Sequence, residues 1–260
     1  MRFLFLTSAC IGLFVTHAWA LPSAITIAAD TWCPYNCNAN LDQQGYVVDI
    51  TKAIFEPKGI TVNYEITPWT RAVKQTRKGK YTAIIGATTS EGKGFIFPRE
   101  MIGFSAYHFY TNAKSHWKFT GSIDSLKLIS LGVVEGYSYS DAIDRYIASH
   151  KNDRERIQVL SGNNAAAQNI KKLRAKRIDV MIEDPNVVKY TLSTMNTPNT
   201  LRDAGATAPI KSDSALYLAF SPKHPDAKAL AKLFDEGIRT LRKTGKLKKI
   251  LTRYGMKDWQ

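Results

Sequence analysis

Cysteine is scarce in this 260-residue chain: Cys10, Cys33 and Cys37 are all it has. That is too few for a disulfide-dense scaffold or for a zinc site built on cysteine alone. Beyond the first 20 residues no long apolar run occurs, so nothing there is long enough to cross a bilayer. Near-identical repeats and low-complexity linkers are missing too. So are a recognisable nucleophile–base pair, a metal-ligand cluster and a cofactor loop. Acidic residues are outnumbered, 22 against 36 basic, which leaves a formal charge of +14.

What the chain does have begins with a leader. Arg2 supplies a positive start, Phe3 to Val15 is almost wholly apolar, and Ala18-Trp19-Ala20 gives a small-x-small cleavage signature. At roughly 13 residues the apolar run falls short of the ~20 needed to span a membrane. The expectation is a cleaved signal peptide over residues 1–20, a mature chain from Leu21, and export to an oxidising compartment. Cys10 leaves with the leader. Cys33 and Cys37 remain as an even pair, read as a disulfide. A zinc site needs two further ligands, and no histidine is near. A redox motif usually places two residues between its cysteines, and here there are three.

The positive surplus admits a nucleic acid, an anionic surface or an anionic ligand as partner. Yet the basic residues are dispersed. The densest run, RKTGKLKKILTRYG, interleaves apolar residues at helical spacing and reads as a solvated helix face. No nucleic-acid partner is expected.

The remaining 240 or so residues are about enough for one large domain or two lobes. AITIAA reads as a strand. Val47, Ile50 and Ile54 recur at helical spacing up to Gly59, and ITVNYEIT alternates as a strand. PWTRAVKQTRKG begins a helix at Pro68, and YTAIIGA is the next buried strand. A second alternating set runs through LGVV, IQVL and IDVMI, followed by the strand SALYLAFS and two helices, about 225–242 and 246–254. The pattern is that of an α/β protein with mainly parallel sheets flanked by helices.

The ordered runs TWCPY, GYVVDI, PWTRAV and GKYTAIIGATTSEGKGFIFP occur near the start of the mature chain. SLKLISLGVVEGYSY, LRAKRIDVMIEDPNVV and ALYLAFSPKHPDAKALAKLFDEGIRTLRKTGKLKKILTRYG follow. Together they resemble the bacterial extracellular solute-binding proteins of family 3, the polar amino acid type. The resemblance implies a two-lobed periplasmic binding protein-like fold of type II, with a ligand cleft between mixed, mainly parallel α/β lobes. It further implies a periplasmic monomer without cofactor or metal, which delivers a small solute to an inner-membrane ABC permease. The discontinuous lobes are expected at 21–110 with 214–260, and at 111–213.

In such folds ligands sit beyond the carboxyl ends of the strands. The loop DTWCPY is the first such place. By the resemblance Trp32 covers the ligand and Tyr35 is a second family aromatic, with packing of the loop as the competing role. Thr88 and Thr89 fall where the family uses hydroxyl groups, and Gly94 stands where it uses a carboxylate-binding arginine. Without that bidentate contact a plain α-amino acid is a poor ligand. Arg71 could replace the charge or simply lie on the surface, and Trp69 is expected at the cleft. Tyr137 and Ser138 stand where small hydroxyl residues meet the ligand's carboxylate. Asp184 matches the aspartate that pairs with an α-ammonium, or else caps the helix starting at Pro185. A retained acid and a missing arginine point to a cationic or amine-bearing solute held partly by aromatics.

Two other readings stand beside this one. The architecture also resembles periplasmic cyclohexadienyl dehydratases, where Glu135, Glu183 or Asp184 could serve as a general acid. Alternatively, the solute-bound protein could signal to a membrane receptor.

Overall fold

The structure, a computed structural model, describes residues 21–196, 200–207 and 214–260. The expected leader, with Cys10, lies outside these residues, as do parts of the segment around 197–213. Among the described residues no helix is long and apolar enough to cross a membrane.

The first half alternates as the sequence suggests. β1 (Ala24–Ala29), α1 (Tyr46–Phe55), β2 (Thr61–Ile66), α2 (Trp69–Arg77) and β3 (Ala83–Ala87) follow in order. Pro68 is the N-cap of α2 rather than its first-turn residue. The short β4 (Gly103–Phe104) leads into β5 (His108–Asn112). Next come β6 (Leu131–Val134), α3 (Asp141–His150), β7 (Ile157–Leu160), α4 (Ala165–Arg174), β8 (Val180–Glu183), α5 (Pro185–Thr194) and β9 (Leu201–Ala206). The chain ends with β10 (Ala215–Phe220), α6 (Ala227–Lys243) and α7 (Lys246–Arg253).

These strands form two five-stranded sheets, ordered β2-β1-β3-β10-β4 and β7-β6-β8-β5-β9. Each has three parallel strands and a reversed fourth, β10 or β5, which carries the fifth strand on its far side. Four of the five strands in each sheet thus run in one direction, the mixed, mainly parallel pattern expected. β5, which carries residue 110, pairs along its length with β8 and β9 of the second sheet. The expected boundary at 110 thus falls inside a strand. The crossing from the first sheet to the second is at residues 105–107, between β4 and β5. The two crossings are hydrogen-bonded to each other: Ser105 N–H donates to the Ser214 carbonyl and Thr207 N–H to the Tyr107 carbonyl, both at 2.9 Å.

Amphipathic helices seal the sheets. Ile50, Ile54 and Phe55 of α1 and Leu230, Phe234, Ile238 and Leu241 of α6 join Ile25 and Ile27 of β1 in one buried cluster. Each such side chain contributes roughly 1.5–3 kcal/mol of burial free energy. Leu247, Ile250 and Leu251 of α7 are buried beside them while Lys246, Lys248 and Lys249 are exposed, so this basic run does present a solvated face. A second cluster, with Phe109, Leu131, Val133, Ile143 and Ile182, fills the other sheet.

Candidate functional site

The carboxyl ends of β1, β3, β6 and β8 point their loops at one another, and nearly every buried charge of the molecule lies where those loops meet. The loop after β1 is pinned by a disulfide between Cys33 and Cys37 and by a Trp32–Asn36 bridge. It holds Trp32 stacked on Tyr35, with ring centroids 4.1 Å apart and planes 17° apart. The Trp32 indole N–H donates to Glu183 Oε1 at the end of β8, at 2.9 Å. Tyr137, from the loop after β6, donates its hydroxyl to Asp30 Oδ2 at 2.7 Å. Its ring meets Trp69 edge-on at 6.5 Å. Gly136 makes this approach possible: a Cβ there would lie 2.4 Å from Thr70 Cγ2 on α2.

Asp30, Trp32, Asn36, Trp69, Glu91, Tyr107 and Tyr137, with Ile85 and Gly86, enclose a cavity of about 20 Å³. That is room for about one water. Its walls are aromatic and acidic, and it has no Lys, Arg or His among its lining residues. Trp69 and Glu91 also border an outer groove of about 410 Å³, where Lys74, Arg77 and Lys78 of α2 are found.

Burial dominates the electrostatics. It pushes Glu183 from an ordinary 4.5 to about 8, against the hydrogen bonds from Trp32 and the Asp184 N–H and with help from the charges of Asp184 and Asp30. It lifts Asp30 from 3.8 to about 6, partly offset by the Tyr137 hydroxyl. Glu91 is also raised by burial. The Thr88 hydroxyl and the Thr88 N–H, both hydrogen-bonded to its carboxylate, oppose that rise, as does the nearby Ser138 N–H.

The expected site residues divide. Trp32, Trp69 and Tyr137 line the cavity. Tyr35 is buried behind Trp32, and its hydroxyl lies 3.2 Å from Asp184 Oδ2 and accepts from Asn186 Nδ2 at 3.2 Å. Thr88 serves Glu91: its hydroxyl donates to Glu91 Oε2 at 2.8 Å and its N–H at 3.1 Å. Ser138 gives its hydroxyl to Asp144 Oδ2 at 2.7 Å. Arg71 and Thr89 are exposed and do not line the cavity.

Of the two roles expected for Asp184, pairing with an ammonium or capping the helix at Pro185, the cap is seen: it is the N-cap of α5. Its Oδ1 accepts from Asn186 N–H at 2.8 Å and Val187 N–H at 3.4 Å. Its Oδ2 accepts from Ala106 N–H at 3.3 Å and from the Tyr35 hydroxyl. Burial raises its pKa to about 6 against those donors. The carboxylates that line the cavity are Asp30 and Glu91, and Glu183 is reached through Trp32.

Gly94 is exposed at φ 89°, a conformation disfavoured for other residues. The nearby guanidinium belongs to Arg77, which bonds the Lys93 carbonyl and lies over the Phe95 ring at 4.9 Å.

Sequence reasoning passed over Asp30, Asn36, Glu91 and Tyr107. The signal for three of them was position: Asp30 opens DTWCPY, Asn36 follows it at once, and Glu91 sits in the TTSEG turn, all beyond strand ends. Tyr107 lies in a crossover with no periodicity to mark it. Among the described residues no group of three His, Cys, Asp or Glu side chains is placed to hold a metal ion.

No family model and no curated protein matches the chain. Solved structures do. A structure described for glutathione import via GshT and the cystine ABC importer TcyBC of Streptococcus mutans is 18% identical. It superposes with a TM-score of 0.74, covering 92% of this chain and 99% of that one. An ancestral arginine-binding protein bound to glutamine is 15% identical at TM-score 0.71, covering 90% and 99%. A histidine kinase sensor domain with similarity to periplasmic binding proteins is 19% identical at TM-score 0.67, covering 89% and 95%. At such identities the likeness is one of fold: this chain has the two-lobed α/β fold of periplasmic substrate-binding proteins, with the acidic, aromatic cavity at the junction of its lobes.

Proposed function

We propose that the chain is an exported, monomeric solute-binding protein of an ABC importer, which captures a small polar, amine-bearing solute between its lobes. One lobe is built on the first sheet, 21–104 with 215–260, and the other on the second, 108–206. The observation that carries this reading is the Trp32–Glu183 bond. It spans 151 residues of chain and joins the strand ends of opposite sheets beside a small cavity. A cavity this small admits a solute of several heavy atoms only if the lobes part and close again around it. Neighbours in fold named as ABC transporter substrate-binding proteins, one bound to L-arginine and another to histidine, support the same use of the cleft. The leader-like first 20 residues support delivery to the periplasm.

Mass spectrometry of small molecules released from gently purified, then denatured protein tests this reading. A stoichiometric solute that rebinds saturably supports it, and failure of every released or supplied solute to rebind overturns it. Docking on a membrane receptor in place of a permease is compatible with the fold of the sensor-domain neighbour. The gene beside this one, permease or receptor, separates the two.

One observation favours a lyase. Glu183, buried and raised to about 8, holds a proton near neutrality as a general acid must. Incubation with prephenate or arogenate distinguishes the readings: turnover means dehydratase, saturable binding without turnover means carrier.

A further inference from the structure

Glu91 occupies an unusual place. Its carboxylate takes the Thr88 N–H and the Thr88 hydroxyl on the loop after β3 and lies close to the Ser138 N–H on the opposite lobe's loop. Converging backbone N–H groups and a hydroxyl are the donors that would receive a ligand's carboxylate. Here the chain's own acid is seated on them. Around the rest of the cavity, carboxylates, an amide oxygen and ring faces stand beside the neutral donors of Trp69, Tyr107 and Asn36. Asp30 is held by one hydroxyl. Asn36 Oδ1 is buried with no partner among the described residues. Trp32, Trp69, Tyr107 and Tyr137 complete the wall. No basic side chain faces in to balance an anion.

We infer that the solute is an organic cation with N–H donors and no carboxylate, because Glu91 fills the carboxylate subsite while Asp30, Asn36 and the aromatic faces line the cavity, with Glu183 hydrogen-bonded to the lining Trp32. The inference rests on the solute-capture reading. As the lobes part, Asp30 and Glu183 lose their bonds to Tyr137 and Trp32, and ammonium or guanidinium N–H groups restore them on closure. The ring faces add cation–π attraction in a desolvated site. A fixed cation also draws a proton off a buried acid. The groups around Glu183 are the Trp32 indole, Asp30, Asp184 and the phenols of Tyr107, Tyr110, Tyr137 and Tyr139, with His108 paired across from it on β5 and bonded to Asp203. Cation binding therefore releases a proton.

Calorimetry on the full mature protein tests this with pairs that differ only in a carboxylate: agmatine against L-arginine, putrescine against L-ornithine, cadaverine against L-lysine, histamine against L-histidine. The expected result is that the amine of at least one pair binds about tenfold or more tighter than its amino acid. Its binding enthalpy should depend on the buffer in the sense of about one proton released at pH 7. Glu91→Ala, which empties the carboxylate subsite, should narrow that preference about tenfold. An amino acid that binds as tightly as its amine overturns the inference while leaving solute capture intact. Failure of all four amines overturns it as well, and the released-solute experiment then decides separately whether any solute is carried.

Discussion

Trp32 and Glu183 meet through a single buried hydrogen bond of 2.9 Å, indole N–H to carboxyl oxygen, and the same Glu183 Oε1 accepts the Asp184 N–H at 2.9 Å. Both donors converge on one oxygen of an acid that burial keeps protonated at neutral pH. This is a neutral latch, not an ion pair, and its strength depends on who holds the proton.

Trp32→Phe keeps a ring against Tyr35 but deletes the indole N–H. A buried acceptor losing a donor costs about 1–3 kcal/mol. Urea unfolding should show that loss at pH 7, with no change in the slope against denaturant. A variant as stable as the wild type would mean the bond contributes nothing.

The pH dependence has a definite sign. Between an ordinary 4.5 and about 8 the folded protein holds a proton on Glu183 that the unfolded chain does not. Stability is therefore full below about 4.5 and declines as pH rises through 8. Asp30 and Asp184 add declines of the same sign between 3.8 and about 6. Glu183→Gln carries no proton to lose, so its unfolding free energy should fall less from pH 5 to pH 9 than the wild type's. Parallel curves for the two proteins would contradict this.

For Asp184 the expectation is structural. Asp184→Ala strips the cap of α5 and leaves the Ala106 N–H and the Tyr35 hydroxyl without their shared acceptor, at about 2–4 kcal/mol. Asp184→Asn, which still caps, should cost less than half of that. Once a solute is identified, its affinity for folded Asp184→Asn should change by under about tenfold. A larger loss would restore a direct contact with the ligand.

Restoring an arginine at position 94 should fail. Gly94 has φ 89°, and a non-glycine residue held in left-handed geometry costs about 1–2 kcal/mol. Gly94→Arg should lower the melting temperature without conferring amino acid binding. Tight amino acid binding by this variant would show that its side chain reaches the cleft after all.

The sequence made the alternating elements legible because their apolar spacing is local: Val47, Ile50 and Ile54 mark α1 without knowledge of anything else. β5 and β9 escaped because HFYTN and LRDAGA carry polar residues and too few alternating apolar ones. They are strands because they pair with each other, with β5 also against β8. At the site, strand-end position found Trp32, Trp69 and Tyr137. The cap role of Asp184 was legible from Pro185 beside it, but its bonds to Ala106 and Tyr35, 78 and 149 residues away, were not. Glu91 was hidden by its surroundings: in TTSEG an acid looks like a turn residue, and only the fold brings the opposite loop's Ser138 N–H to it.

The bonds between the two crossings, Ser105 to Ser214 and Thr207 to Tyr107, have a mechanical consequence. Two connections bonded to each other where they leave each sheet flex together as one strap, resisting twist and sideways shear more than bending across its thin dimension. The lobes are thereby left with essentially one coordinate to travel. A single pair of spectroscopic labels, one on each lobe and far from the strap, would read out the whole trajectory, and its distance distribution would shift along one line as solute is added.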